Sequence, residues 1–363
     1  MRPGFWNGKN VLLTGHTGFK GGWLSLWLQG LGAEVTGYSL APTSAPSLFE
    51  LAKVEHGMAS VHGDVLDLPH LRRVMRESSA EIAFHLAAQS LVRRSYADPA
   101  GTYATNVMGT ANLLEAARGV PAVRAVVVVT SDKCYENRED GRAYVETDRL
   151  GGGDPYSSSK ACAEHVTAAW RKAFFSGAAG GSKAGVASAR AGNVIGGGDW
   201  AEDRLIPDVM RAARQGKPAA IRNPNSVRPW QHVLDPLCGY LELAERVWEE
   251  PARFSEAWNF GPEEVDCVPV AAVLDRLSAL WGPGLAWRSD DGPHPHEARS
   301  LRLDCSKAKR ELGWAPAWPL EQALEATAEW YKAYLGGGDV RAVTEQQIHR
   351  YQSRLKVAET SQR

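Results

Sequence analysis

Apolar residues in the first half of this chain fall into short runs separated by helical stretches. Val11-Leu12-Leu13-Thr14 predicts a strand, and Trp23, Leu24, Leu26, Trp27 and Leu28 within 22–30 predict a helix with a crowded apolar face. Residues 34–38 predict the next strand, and Val61-His62-Gly63-Asp64 a third that ends in an acid. A charged helix over 69–78 leads to a fourth strand, Ile82-Ala83-Phe84-His85-Leu86, and 104–118 is helical. The run Ala125-Val126-Val127-Val128-Val129-Thr130 is β-branched after its first residue, as a parallel strand buried on both faces should be. A long helix over 155–175 starts with proline in its first turn. A Gly/Ala/Ser linker at 177–185 then precedes a strand over 186–191. This alternation implies an α/β fold, a doubly wound parallel sheet.

The rhythm breaks after Asn193. Gly196-Gly197-Gly198-Asp199-Trp200 is a loop, 206–215 a helix and 224–229 irregular. Helical runs follow at 236–250 and 268–281, a polar stretch at 293–299, and a short helix at 306–312. The last strong apolar pattern ends near Leu335, and the polar tail from Glu345 reads as a fraying helix or disorder.

A chain of 363 residues has room for one large or two modest domains, and a net charge of -1 argues against nucleic acid as the partner. No apolar window is long enough to span a membrane, and no apolar leader precedes Val11. Five scattered cysteines without a CxxC or His/Cys cluster predict a reduced, cytoplasmic protein with no metal site. The 13 tryptophans are best read as packing.

Candidate chemistry starts at Gly15-His16-Thr17-Gly18-Phe19-Lys20-Gly21, a glycine loop between the first strand and the first helix. Small residues there let the backbone approach a pyrophosphate, and the helix start offers N–H groups and partial positive charge. The loop makes the sheet Rossmann-type. Tyr38-Ser39-Leu40 stands where an acid usually grips the ribose, and the next basic residue is Lys53. That disfavours a 2′-phosphate, with Lys20 as the counter-argument. Asp64 either bonds an adenine amine or caps a turn. The small residues of His85-Leu86-Ala87-Ala88-Gln89 would let a nicotinamide ribose lie close.

Tyr156 and Lys160 form YxxxK on one helix face. A tyrosine, with a reference pKa of ~10, becomes a base when a lysine ammonium and a positive nicotinamide ring favour the phenolate. At the end of the valine strand stand Thr130-Ser131-Asp132-Lys133, where open α/β sheets bind ligands. Thr130 or Ser131 would bond substrate, and Asp132 and Lys133 would move protons.

These stretches resemble the extended short-chain dehydrogenase/reductases. Most closely they resemble the nucleotide-sugar 4,6-dehydratases that act on CDP-glucose. Further matches are Arg190 to Leu205 (RAGNVIGGGDWAEDRL), Val227 to Asp235 (VRPWQHVLD) and His296 to Trp314. Lys133 follows Asp132 where the related dTDP-sugar enzymes carry glutamate. The resemblance implies NAD held by 1–191 and 232–262, a smaller C-terminal domain of 192–231 and 263–340 holding CDP-glucose, and a tail at 341–363. It implies NAD contacts from Gly15, His16, Thr17, Gly18, Phe19, Lys20, Asp64, Val65, Leu86, Ala87, Ala88, Gln89, Asn106, Thr130, Tyr156 and Lys160. Ser131, Asp132, Lys133, Tyr156 and Lys160 would be catalytic. Ser131, Arg190, Asn193, Trp200, Arg204, Arg228, His296 and Glu297 would meet substrate, Arg228 at the pyrophosphate. It also implies a homodimer, or a tetramer built from it, through the helices around 101–118 and 156–174.

Overall fold

A computed structural model describes residues 1–176, 182–290, 292 and 301–361. His296 and Glu297 therefore lie outside the described residues, as does most of the predicted linker. Seven parallel strands form the central sheet: β1 (Asn10–Thr14), β2 (Glu34–Ser39), β3 (Ala59–His62), β4 (Ile82–His85), β5 (Ala125–Val129), β6 (Gly185–Ala191) and β7 (Ala257–Phe260). Their order is β3-β2-β1-β4-β5-β6-β7. The strand order reverses between β1 and β4, and that switch point opens a crevice at the carboxyl ends of the strands. The doubly wound α/β expectation holds. β5 and β6 are buried at every position, as strands covered on both faces require.

One face of the sheet carries α1 (Phe19–Gly30) and α3 (Leu234–Glu249), and the other carries Leu68–Glu77, Gly109–Arg118 and α2 (Pro155–Phe174). The predicted helix over 104–118 is interrupted. A wide π turn, Ala104–Met108, precedes Gly109–Arg118 and turns Asn106 inward.

Beyond β6 the described residues build three small strand pairs. Val194–Ile195 pairs with Gln231–His232, Val227–Pro229 with Cys267–Pro269, and Ala219–Ile221 with Trp287–Ser289. The apolar cluster under α1 and α3 continues through Leu301, Trp314 and Trp330.

The tail is helical, one of the two readings of its sequence, but it is docked rather than frayed at its start: Val340–Ser361 is a helix, α4, and its first turns are part of the core. Val340, Ile348 and Tyr351 are buried; Tyr351 packs edge-on to Trp27 at 5.6 Å and its hydroxyl donates to Asp235 Oδ1 at 2.8 Å. Its apolar residues are few because the polar ones do part of the docking: Trp330 Nε1 donates to Thr344 Oγ1 and Gln347 Nε2 to the Ala326 carbonyl.

Candidate active site

The glycine loop is forced by contact. Gly15 has φ +79°, and a Cβ there would stand 2.7 Å from the Ala87 nitrogen; one at Gly21 would stand 2.1 Å from the Gly15 carbonyl oxygen. Gly18 caps α1 with no side-chain hydrogen bond, and no acid occupies the first turn. The first N–H groups of α1 are thus open to an anion, which fits the pyrophosphate of a dinucleotide. Gly15, Thr17, Gly18, Phe19 and Lys20 line one large cleft together with Asp64, Val65, Leu86, Ala87 and Ala88.

The turn after β4 is fixed from behind. Thr14 Oγ1 meets His85 Nδ1 at 2.8 Å and accepts from the Ala87 N–H at 3.3 Å. Asn106 accepts from the Gln89 N–H at 2.8 Å and donates to the Gln89 carbonyl and to Ser159 Oγ, both at 2.9 Å. Asn106 and Gln89 were expected to touch cofactor. They stand outside the cleft and clamp its wall to α2. His16 is likewise corrected: it is buried beneath the loop, meets Ser60 Oγ at 2.7 Å, and burial lowers its pKa to about 4. Asp64 lines the cleft and also accepts from the Leu66 N–H.

The catalytic candidates share the cleft: Thr130, Ser131, Asp132, Lys133, Tyr156 and Lys160 all line it. Ser131 caps the short turn Asp132–Cys134; its Oγ accepts from the Lys133 N–H at 3.2 Å and donates to Asp132 Oδ1 at 3.0 Å. Asp132 is 3% exposed, and burial raises its pKa against the pull of Lys133, Ser131, Arg228 and Lys20. Asp132 Oδ2 is buried without a hydrogen-bond partner. Burial disfavours the charged form of such a carboxyl and favours the form that can donate a proton.

Tyr156 sits at the start of α2, whose cap Asp154 accepts from the Ser157 N–H. Burial raises Tyr156 to about 12, with a hydrogen bond to Ser131 and the charge of Arg204 pulling the other way. Lys160, expected to favour the phenolate, lines the same cleft; its Nζ donates to the Val129 carbonyl at 3.4 Å, and burial lowers it to about 8, offset by the Glu164 carboxylate.

Lys20 is also misplaced by the sequence. It faces the catalytic end of the cleft rather than the end of β2. Burial lowers it to about 7, Arg204 and Lys160 add to that, and Asp132 and Asp199 oppose it.

Arg190 is the clearest correction. Its guanidinium is 4% exposed, lies off the cleft, and pairs with Glu164 at 2.7 Å. Glu164 also accepts from Thr130 Oγ1 at 2.5 Å and Ser188 Oγ at 2.7 Å. The pair is a buried brace under the β5 exit. Asn193, Trp200, Arg204 and Arg228 do line the cleft. Trp200 is largely consumed by packing on Tyr331 and Tyr334 at 5.2 and 5.1 Å. Arg204 bridges Asp199 Oδ2 at 3.0 Å and Ser90 Oγ at 2.9 Å, crossing between the two walls. Glu164, Asp199 and Arg222, which also serve this region, carry no local sequence signal. Among the described residues no cluster of three or more His, Cys, Asp or Glu could hold a metal, and no helix is long and apolar enough to cross a membrane.

A glycine-gated crevice at the switch point of a parallel sheet, with Tyr/Lys and Ser/Asp sets at its floor, defines a dinucleotide-dependent enzyme class. The model of the NAD dependent epimerase/dehydratase family matches residues 11–261, and the chain belongs to that family. It is 51% identical over 350 residues to a CDP-glucose 4,6-dehydratase of Salmonella typhimurium, covering 96% of this chain and 98% of that one. It is 30% identical to a dTDP-glucose 4,6-dehydratase of Xanthomonas campestris pv. campestris, covering 88% and 92%. Among solved structures, MoeE5 in complex with UDP-glucose and NAD superposes with TM-score 0.75 at 27% identity, over 90% of this chain and 99% of that one. The fold is also that of dTDP-glucose 4,6-dehydratase from Bacillus anthracis in complex with NAD, with TM-score 0.74 at 24% identity over 92% and 99%.

Proposed function

We propose that this chain is an NAD-dependent dehydratase that converts CDP-glucose to CDP-4-keto-6-deoxyglucose. The observation that carries the reaction type is the buried Asp132, its pKa raised by burial, beside Ser131 and Lys133 in the same cleft as Tyr156. A 4-epimerase needs no acid for a leaving hydroxyl. The substrate follows from the 51% identity to the Salmonella enzyme.

Bound NAD would supply a hydride acceptor for C4, a hydride donor for C6, and positive charge beside the phenol. Gly15, Thr17, Gly18 and Phe19 would hold its pyrophosphate, and Leu86, Ala87 and Ala88 its nicotinamide half. Tyr156 takes the O4 proton, Ser131 and the positive charge offsetting the burial that raises it. Oxidation at C4 acidifies C5–H. Lys133, half-buried on the cleft wall, removes that proton or stabilises the enolate. Asp132 protonates the C6 hydroxyl, which leaves as water. Arg228 and Arg204 supply guanidinium forks for the sugar's pyrophosphate.

On this reading 1–191 and 232–262 serve NAD, and 192–231 and 263–340 serve the nucleotide sugar. We also propose a cytoplasmic homodimer. Five free cysteines suit a reducing compartment, and Tyr96, Tyr103 and Met108 stand exposed near the helices expected to pair. A panel of CDP-, dTDP-, UDP- and GDP-glucose, assayed for a 4-keto sugar in alkali, tests the reading. Product from CDP-glucose alone is expected; product from another nucleotide alone would overturn the substrate assignment.

A further inference from the structure

We infer that Arg341 and Thr344 on α4 are positioning residues for NAD: they pin the two wall segments, 47–53 and 196–199, that pack around the start of α1, so the terminal helix sets how tightly the cofactor is held. The inference rests on the placement of NAD in the cleft proposed above and is independent of which sugar is dehydrated.

Neither wall segment belongs to the central sheet, and both are seated through glycine contacts. Ser47 and Leu48 line the cleft with the end of β2, where Thr17 Oγ1 donates to the Leu40 carbonyl at 2.9 Å. A Cβ at Gly22 would stand 2.9 Å from the Leu48 side chain and one at Gly198 would stand 2.7 Å from it, so Leu48 is wedged between α1 and the second segment. Gly196, Gly198 and Asp199 of that segment also line the cleft. Gly197 lies so close to the Trp330 ring that a Cβ would overlap it, and its carbonyl accepts from Trp23 Nε1 at 2.9 Å.

The first turns of α4 hold both segments. Gly337, at φ +73°, turns the chain after the helix Leu320–Leu335, and the Asp339 carboxylate caps α4 by accepting from the Arg341 and Ala342 N–H groups at 2.9 and 3.1 Å. Arg341 and Thr344, three residues apart, share one helix face. Arg341 Nη1 donates to the Lys53 carbonyl at 2.8 Å and the Ala52 carbonyl at 3.4 Å, just past the short helix Leu48–Leu51. Its Nε is fixed by Glu345 Oε1 at 2.8 Å, and its Nη2 reaches Gln29 Oε1 on α1 at 3.4 Å. Lys53 has φ +46°, a conformation that costs a residue with a side chain, and the guanidinium holds its carbonyl in place. Thr344 Oγ1 donates to the Val340 carbonyl at 2.7 Å and accepts from Trp330 Nε1 at 2.9 Å, which fixes the indole that packs on Gly197. Neither Arg341 nor Thr344 lines the cleft. Loss of either bond frees a wall segment to shift from the helix start that would hold the pyrophosphate, with no cofactor contact removed.

The test measures Kd for NAD by calorimetry, kcat at saturating NAD and thermal melts for Arg341→Ala, Thr344→Val and Tyr351→Phe in the full chain. Arg341→Ala and Thr344→Val should each weaken NAD binding by roughly 2–30-fold, the range for residues that touch neither ligand but couple to its site. The loss should fall on NAD affinity, with kcat at saturating NAD changed far less. Arg341→Lys and Thr344→Ser, which keep a donor and an acceptor, should restore most of the affinity. Tyr351→Phe breaks the bond to Asp235 on the same helix but touches neither wall; it should lower Tm and leave Kd for NAD unchanged. If Arg341→Ala does not fold, Arg341→Gln, which keeps the stem without the charged fork, carries the same comparison. Unchanged NAD affinity in Arg341→Ala or Thr344→Val, or an equal loss in Tyr351→Phe, would overturn the inference while leaving the NAD site intact. A wild type that binds no NAD would remove the reading beneath it.

Discussion

Arg190→Ala separates a brace from a substrate ligand. In the wild type, burial alone would raise the Glu164 pKa. The Arg190 guanidinium and the Thr130 and Ser188 hydroxyls overcome that and hold it below the ordinary carboxylate value. Truncation leaves the carboxylate buried with two hydroxyls. It also removes donors to the Tyr135 hydroxyl at 2.8 Å and to the Glu146 carbonyl at 3.0 Å. Removing one partner of a buried pair costs about 3–5 kcal/mol. For a chain of this size that lowers Tm by about 6–10 °C, at about 2 °C per kcal/mol. The sign with pH is fixed. Wild-type Glu164, with its depressed folded pKa, contributes stability above the unfolded value of about 4.3, which is lost as pH falls through the folded value. In the variant the same carboxyl costs stability when charged, so the deficit against wild type is largest at neutral pH and shrinks in acid. Thermal melts at neutral and acidic pH, with KM for CDP-glucose in the folded fraction, check this. Unchanged melts with a raised KM would refute it and make Arg190 a substrate ligand.

The remaining predictions concern the cleft. Calorimetry should find NAD bound more tightly than NADP, because no basic residue follows Tyr38 closely and Lys20 faces Asp132; equal or tighter NADP would contradict that. Asp132→Asn should leave C4 oxidation intact and slow elimination by about 10²–10⁴-fold, with 4-ketoglucose accumulating in rapid quench. Wild-type turnover in that variant would remove Asp132 from the mechanism. Tyr156→Phe should show no transient NADH at all.

Where local pattern decides structure, the sequence was legible. The valine run of β5 could only be a buried parallel strand, and the Asp-Pro start of α2 placed Tyr156 and Lys160 on one face. The glycine loop was legible because its spacing answers to backbone contact rather than to side chains. What stayed hidden depends on partners far along the chain. Arg190 looked like a ligand because nothing near it announces Glu164, and Lys20 looked adjacent to the ribose because only the fold turns it toward Asp132. The docking of the terminal helix was missed because Tyr351 and Ile348 bury against Trp27 and the helix Leu320–Leu335 rather than forming a continuous apolar stripe. The π turn that brings Asn106 inward has no propensity signal.

CDP-glucose carrying deuterium at C4 tests the central claim most directly. The account predicts that the label appears on the new C6 methyl of the same molecule, that C5 gains one deuterium when unlabelled substrate reacts in heavy water, and that label does not cross between substrate molecules. Deuterium returned to C4 with inverted configuration, and a C6 hydroxyl still in place, would contradict it and make the protein an epimerase.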